Sequence, residues 1–223
     1  MAAATGPVIE MITDCFRTPL GNGKYVWRAL SENDLITKAS RGRGGSNVSF
    51  RDTAMFSTAM VAYRSTQDIV EAMQSYSLMK AHHTARRMAI PTGPQGRLDG
   101  DWIEDETARW HFEGFKQPQL TALPKKHSFI DAFAALLEAA AYNDSWPALF
   151  DPTVTISATY PVASIKVEMH DMTPDKPAAF RYDEEAGYDF PKRTRPANEA
   201  PGVEFEATIP ARIIREIATL IKA

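Results

Sequence analysis

Seven cationic side chains fall between positions 17 and 51: Arg17, Lys24, Arg28, Lys38, Arg41, Arg43 and Arg51. Only two carboxylates, Glu32 and Asp34, lie among them. The stretch therefore carries a balance of +5 in a chain of 223 residues whose formal net charge is −3. Cations at this density attract phosphate, and attachment of this kind weakens steeply with salt. With about five of them on phosphates, log K falls against log[salt] with a slope of about −4 to −5. The other residues capable of chemistry are scattered. The five histidines are His82, His83, His111, His127 and His170. His82 and His83 are adjacent, point to different sides of any regular element, and cannot chelate as an i,i+4 pair does. His127 precedes a serine with a helix-capping signature and is expected at the surface. The acids Asp99, Asp101, Glu104, Asp105 and Glu106 lack the alternating acceptors, central glycine and closing glutamate of a calcium loop. There is no nucleophile elbow, phosphate-binding glycine loop, dinucleotide fingerprint or H-E-x-x-H pair. The chain reads as a non-enzyme, with no metal or cofactor expected.

The elements that carry the cations can be read from the same stretch. Steps of about 100° around a helix put Val26, Ala29 and Leu30 on one side. Lys24, Arg28 and Ser31 fall on the other, flanked by Trp27 and Glu32. This helix should end near Asn33, a residue suited to helix ends and turns. Leu35, Ile36 and Thr37 then read as a short strand. Three glycines in Arg41-Gly42-Arg43-Gly44-Gly45 permit a tight reversal with the two arginines at its tip. Asn47, Val48, Ser49 and Phe50 read as the return strand. Upstream, residues 7–17 form a first helix with a stripe of Val8, Met11, Ile12, Cys15 and Phe16, begun by Pro7 and ended by Thr18 and Pro19. Cys15 is expected as a small core residue. Packing this helix on Val26, Leu30 and Ile36 builds a small core. Residues 18–23 are expected to hold one helical turn at most.

Helix, strand, basic hairpin and return strand in this order resemble the second half of a winged helix-turn-helix DNA-binding domain. The matching pieces are RALSENDLI (28–36), similar to a recognition helix running into the first wing strand, and RGRGG (41–45), similar to a wing tip. The resemblance covers roughly residues 7–51. It implies a helix in the major groove and a wing on the backbone or in the minor groove. Lys24, Trp27, Arg28 and Ser31 would face the major groove, with arginine the best reader of guanine. Lys38, Arg41, Arg43, Asn47 and Arg51 would serve the wing and its phosphates. The implied partner is double-stranded DNA, and the implied role is transcription regulation by a homodimer. A helix-turn-helix module followed by helices and an assembly domain is also similar to phage DNA-packaging subunits of the small-terminase type. That leaves a phage packaging, interaction or structural protein as the alternative. A further reading drops nucleic acid and docks the basic patch on an acidic protein partner or on the chain's own rear half.

Composition bounds these readings. An apolar share of 44% suits a globular protein. No apolar run approaches the roughly 18 residues of a membrane span, and the N-terminus lacks a basic-then-apolar signal pattern. One cysteine makes no internal disulfide. A cytoplasmic setting without a membrane partner fits. Residues 1–100 hold 12 Lys/Arg and 8 Asp/Glu, a balance of +4, and residues 101–223 hold 13 and 20, a balance of −7. A basic front and an acidic rear suggest separate tasks, so the acidic part is not expected to touch nucleic acid directly.

The rest of the chain gives an α+β expectation: a winged-helix-like helical domain, then a small antiparallel sheet packed with helices. Ser49 with Asp52, Ser65 with Asp68, and Ser128 with Asp131 each match the S-x-x-D capping signal. They open helices over 50–62, to about 79, and over 129–141. The first two helices either extend the DNA-binding domain or hold a dimer together. The methionines at 55, 60, 73, 79 and 88 read as core. Residues 90–101, rich in proline and glycine, read as a linker between a domain at 1–89 and an acidic dimerisation, ligand or partner domain at 102–223. Trp102, Trp110, Phe112 and Phe115 suit either a strand pair or a helix edge. Residues 154–160 and 162–170 alternate as strands, either as a hairpin or as one edge strand kinked at Pro161. Residues 178–183 and 203–209 are further strands, 184–202 a long loop, and the segment from Pro210 a final amphipathic helix.

Overall fold

A computed structural model describes residues 4–38, 47–62, 69–92, 97–99, 103–105, 117–142, 150–157, 162–170, 181–189 and 206–222. The strands among them are β1 (Lys80–Thr92), β2 (Arg97–Asp99), β3 (Ile103–Asp105), β4 (Phe150–Ser157), β5 (Ala163–His170), β6 (Arg181–Asp189) and β7 (Glu206–Ile209). Five of them form an antiparallel sheet in the order β1-β6-β5-β4-β7, and the short β2 and β3 both pair with β1. Alternation along the strands sets the two faces. Val154 and Ile156 of β4, Ile165 and Val167 of β5, Tyr188 of β6 and Ile209 of β7 are buried, whereas Thr153, Thr155, Ser164 and Lys166 are half-buried on the opposite side. The sheet thus has an apolar face covered by helices and a polar face.

The described helices are α1 (Thr5–Cys15), α2 (Leu20–Glu32), α3 (Phe50–Ala62), α4 (Ile69–Leu78), α5 (Pro118–Thr121), α6 (Phe129–Tyr142) and α7 (Ala211–Lys222). All positions of α3 from Asp52 to Met60 are buried, the condition of a helix enclosed on every side. Its neighbours are α1, α2, α4, α6 and β4. On α6, Phe129 meets Tyr188 of β6 edge-on at 5.5 Å. The α6 start is capped by the expected pair, with the Asp131 amide donating to Ser128 Oγ at 3.1 Å and the Ser128 hydroxyl donating to the Asp131 carboxylate at 2.5 Å.

Several expectations hold in outline and shift in detail. The helix expected over 50–62 is α3, that over 129–141 is α6, and the amphipathic helix after Pro210 is α7. Met55, Met60, Met73 and Met79 are buried in the core. Of the two alternatives for residues 154–170, the antiparallel pair is the one observed, because Val154 of β4 registers with Ile165 of β5 and Phe150 with Met169. Residues 184–189, expected as loop, belong to β6 and pair with both β5 and β1. The stretch 90–101 is not a plain linker, since Ile90, Pro91 and Thr92 pair with Asp99, Leu98 and Arg97. The rest of β1, on the N-terminal side of that stretch, pairs with β6 far along the chain. One continuous apolar cluster runs from Val8 through Phe56 to Ile221, so the core does not divide where the two domains were expected to part. Ser65, Asp68, Trp102, Trp110, Phe112 and Phe115 lie outside the described residues.

Two side chains sit differently from expectation. Cys15 is half-buried rather than core, with Sγ 3.6 Å from Glu216 Oε2 on α7. Burial and the neighbouring carboxylate push its thiol up to about 11, so it is protonated at neutral pH. His127 is buried, at 2% exposure. It is fixed because Ala81 donates its amide to the His127 carbonyl at 3.0 Å and Phe129 donates to the Met79 carbonyl at 3.1 Å. Its Nδ1 lies 3.0 Å from the Pro124 carbonyl, which can only accept, and its Nε2 lies 2.8 Å from the Tyr188 hydroxyl. That pattern makes a neutral ring with the proton on Nδ1. Burial lowers its pKa from the ordinary 6.5, Lys80 adds to the effect, and the Pro124 carbonyl and Asp131 oppose it. Above 6.5 the ring is neutral in the folded and the unfolded chain. Below 6.5 the unfolded chain takes up a proton that the folded chain resists, so stability falls as pH drops. Urea midpoints measured from pH 7 downward should decline, and His127→Gln should remove this part of the decline; an unchanged slope would refute the assignment.

Candidate nucleic-acid interface

Helices α1 and α2 are joined by residues 16–19, a connection of ordinary length for neighbouring helices. Each ends in the same way. Thr18 donates its amide to the Thr13 carbonyl at 2.9 Å and Arg17 to Asp14 at 3.0 Å, while Leu35 donates to Leu30 at 3.0 Å and Asp34 to Ser31 at 3.3 Å. These are Schellman closures, and they place Arg17 and Asp34 in the left-handed region at φ 51° and 58°. The helices approach closely at Gly23, where a Cβ would stand 2.1 Å from Thr13 Cγ2. Thr13 turns its hydroxyl back onto the carbonyls of Ile9 and Glu10, both at 2.8 Å, and its methyl toward the glycine. Residues 20–23, expected to hold one helical turn at most, form that turn and run on without a break into the rest of α2.

The buried side of α2 consists of Gly23, Val26, Trp27 and Leu30. Trp27 is 7% exposed and meets Phe56 of α3 edge-on at 5.2 Å. It was expected in the groove-facing set and belongs instead to the core, because α3 supplies an aromatic partner that the helix alone could not reveal. The solvent side is correspondingly rotated toward Tyr25 and Glu32. Lys24 and Arg28 are exposed and Ser31 is half-buried. The Arg28 side chain, 78% exposed, pairs through Nε with Glu32 Oε1 at 2.7 Å, and this partner holds the guanidinium above its usual range.

The expected wing differs as well. Leu35, Ile36 and Thr37 form no strand, and Ile36 is buried. On the return side, Asn47 is exposed and bridges to Ala4, while Phe50 already begins α3. What joins the two ends is one carboxylate. Asp52 Oδ1 accepts from the Thr37 amide at 2.8 Å and hydroxyl at 3.2 Å, and Oδ2 accepts from the Ser49 amide at 3.1 Å and hydroxyl at 2.8 Å. The Asp52 amide donates to Ser49 Oγ at 3.0 Å. A capping box at the start of α3 is thereby extended to hold the exit from α2. The S-x-x-D spacing disclosed the cap; nothing local disclosed the tie to Thr37. Arg41, Arg43 and the glycines between them lie outside the described residues. Lys38 pairs with Asp34 at 2.6 Å, and Arg51 with Asp131 of α6 at 3.4 Å. These pairs are exposed enough that water and salt compete with them.

The fold defines an α+β protein, with an antiparallel sheet covered by helices. No family model, curated protein or solved structure matches the chain. Among the described residues no helix is long and apolar enough to cross a membrane, and no three His, Cys, Asp or Glu side chains are grouped to hold a metal ion.

Proposed function

We propose that the chain is a double-stranded DNA-binding protein that lays α2 in the major groove and acts as a homodimeric transcription regulator. The observation that carries the reading is the outward face of α2, where Lys24 and Arg28 are exposed, with exposed Arg17 in the turn before the helix and exposed Lys38 after it. Lys38 and Arg51 rest on carboxylates that water reaches, a contact that a phosphate can replace at little cost, and Arg28 meets Glu32 through Nε, which leaves the fork of its terminal nitrogens to face a base edge.

Polarisation titrations against duplex DNA at several salt concentrations test it. Wild-type affinity should fall steeply with salt. Lys24→Ala, Lys38→Ala, Arg41→Ala and Arg43→Ala should each weaken all sequences about equally and shallow the salt slope by about one unit or slightly less. Arg28→Ala should relax sequence preference. No binding to any duplex at low salt would defeat the proposal. Mass in solution separates the regulator from the packaging alternative, since a dimer supports the first and a large ring the second.

A further inference from the structure

We propose that Glu32 is a base-reading residue, which with Arg28 forms a donor–acceptor unit selecting a G·C-containing site. Arg28 donates to guanine and Glu32 accepts from the cytosine amino group. The inference rests on the reading of α2 as the groove helix and names what that helix would choose.

Position is the first argument. Four residues along a helix turn the wheel by about 40° from the starting direction, so Arg28 and Glu32 stand side by side. The buried arc of Gly23, Val26, Trp27 and Leu30 lies opposite them. They therefore occupy the middle of the exposed face, with Lys24 to one side and Tyr25, 47% exposed, to the other. A helix in a groove presents the middle of its outward face to the base edges and its flanks to the phosphates.

Hydrogen-bonding capacity is the second. Arg28 meets Glu32 through Nε. A guanidinium has five N–H donors, and the four on its terminal nitrogens form the fork that matches guanine O6 and N7. The carboxylate has further lone pairs beyond the one facing Nε. Arg28 can thus read guanine while Glu32 both steadies it and accepts from a cytosine amino group, the partner for which an acidic side chain is suited. The pair spans about 6 Å along the helix axis, within two base-pair steps.

Helix stability does not account for the acid. Arginine placed before glutamate is the weaker order for an i,i+4 pair. Both side chains are well exposed, at 78% and 60%, and such pairs contribute little. Glu32 is the last residue of α2, where the helix dipole disfavours an anion. An anion on an otherwise cationic face also repels phosphate. Acceptance from a base amino group is the role on duplex DNA to which a carboxylate there is suited.

The test is selection from random duplexes with the full chain. Affinities of wild type, Glu32→Ala, Glu32→Gln and Arg28→Ala are then measured for the selected duplex and for single-pair changes in it. Far-ultraviolet circular dichroism checks that each variant is folded. The wild type should lose about tenfold on replacing the critical cytosine. Glu32→Ala should lose preference at that pair while keeping it at the guanine, Glu32→Gln should keep part of it, and Arg28→Ala should lose preference at the guanine. If Glu32→Ala instead binds every duplex more tightly by one common factor, Glu32 is only a repulsive charge and the inference falls while α2 remains the groove helix. If the wild type binds no duplex, the reading of α2 itself fails and takes the inference with it.

Discussion

Asp52→Ala should lower the unfolding free energy by about 2–4 kcal/mol, read as a shift of the urea midpoint at constant slope. The estimate follows from what the carboxylate does. It is 5% exposed and accepts from two backbone amides and two hydroxyls that belong to separate segments. Ser49 still caps α3 in the variant, so the loss is that of the bonds to the carboxylate, and hydrogen bonds to a charged acceptor contribute about 1.5–3 kcal/mol each. The sum is moderated because Thr37 is exposed and its amide can turn to water. Asp52→Asn should lie between the two, since an amide nitrogen would face donors at one end of the tie. A midpoint for Asp52→Ala within about 0.5 kcal/mol of wild type, the range of an ordinary surface change, would show that the tie contributes nothing.

Trp27→Ala should cost more, about 3–5 kcal/mol, the range for truncating a buried large aromatic. Its indole is 7% exposed and packs between α2 and α3 edge-on against Phe56. Trp27→Phe should recover much of the loss, because an aromatic edge contact remains possible. The same variant separates packing from recognition. Under conditions where Trp27→Ala is folded, its ratio of affinities for a preferred and a random duplex should equal that of the wild type. A changed ratio with unchanged stability would mean that the indole points to the groove after all.

Those two residues mark the boundary of what the chain discloses before it folds. Helices with a capping pair and a clear apolar stripe were legible almost to the residue: α3 begins one residue after Ser49 and α6 one residue after Ser128. The alternation in β5 was equally plain. The reading of Trp27 failed for a physical reason. It sits at the border of the apolar arc, and an indole serves a core and an interface equally well. Only Phe56, remote in sequence, decides between them. Leu35, Ile36 and Thr37 have strand-like composition, yet Asp52 binds their end and the α2 closure directs their start, so tertiary contacts override a weak preference. Prolines and glycines over 90–101 suggested a break. Pro91 instead stands in β1 opposite Leu98, a place proline tolerates near a sheet margin. Of the candidate interface, Lys24, Arg28 and Lys38 are exposed as expected, whereas the rotation of the face toward Glu32 depended on where the indole went.

The enclosure of α3 has a bearing on inheritance. Recognition modules usually travel between proteins as self-sufficient cassettes, joined to whatever follows by a dispensable tether. Here the helix that supports α2 is also the one that α6 and β4 require. A break placed after α4 would leave the side of α3 that meets α6 and β4 without cover. The front of this chain should therefore not be portable: grafted elsewhere without the sheet and α6, it would expose a helix that is built to be enclosed.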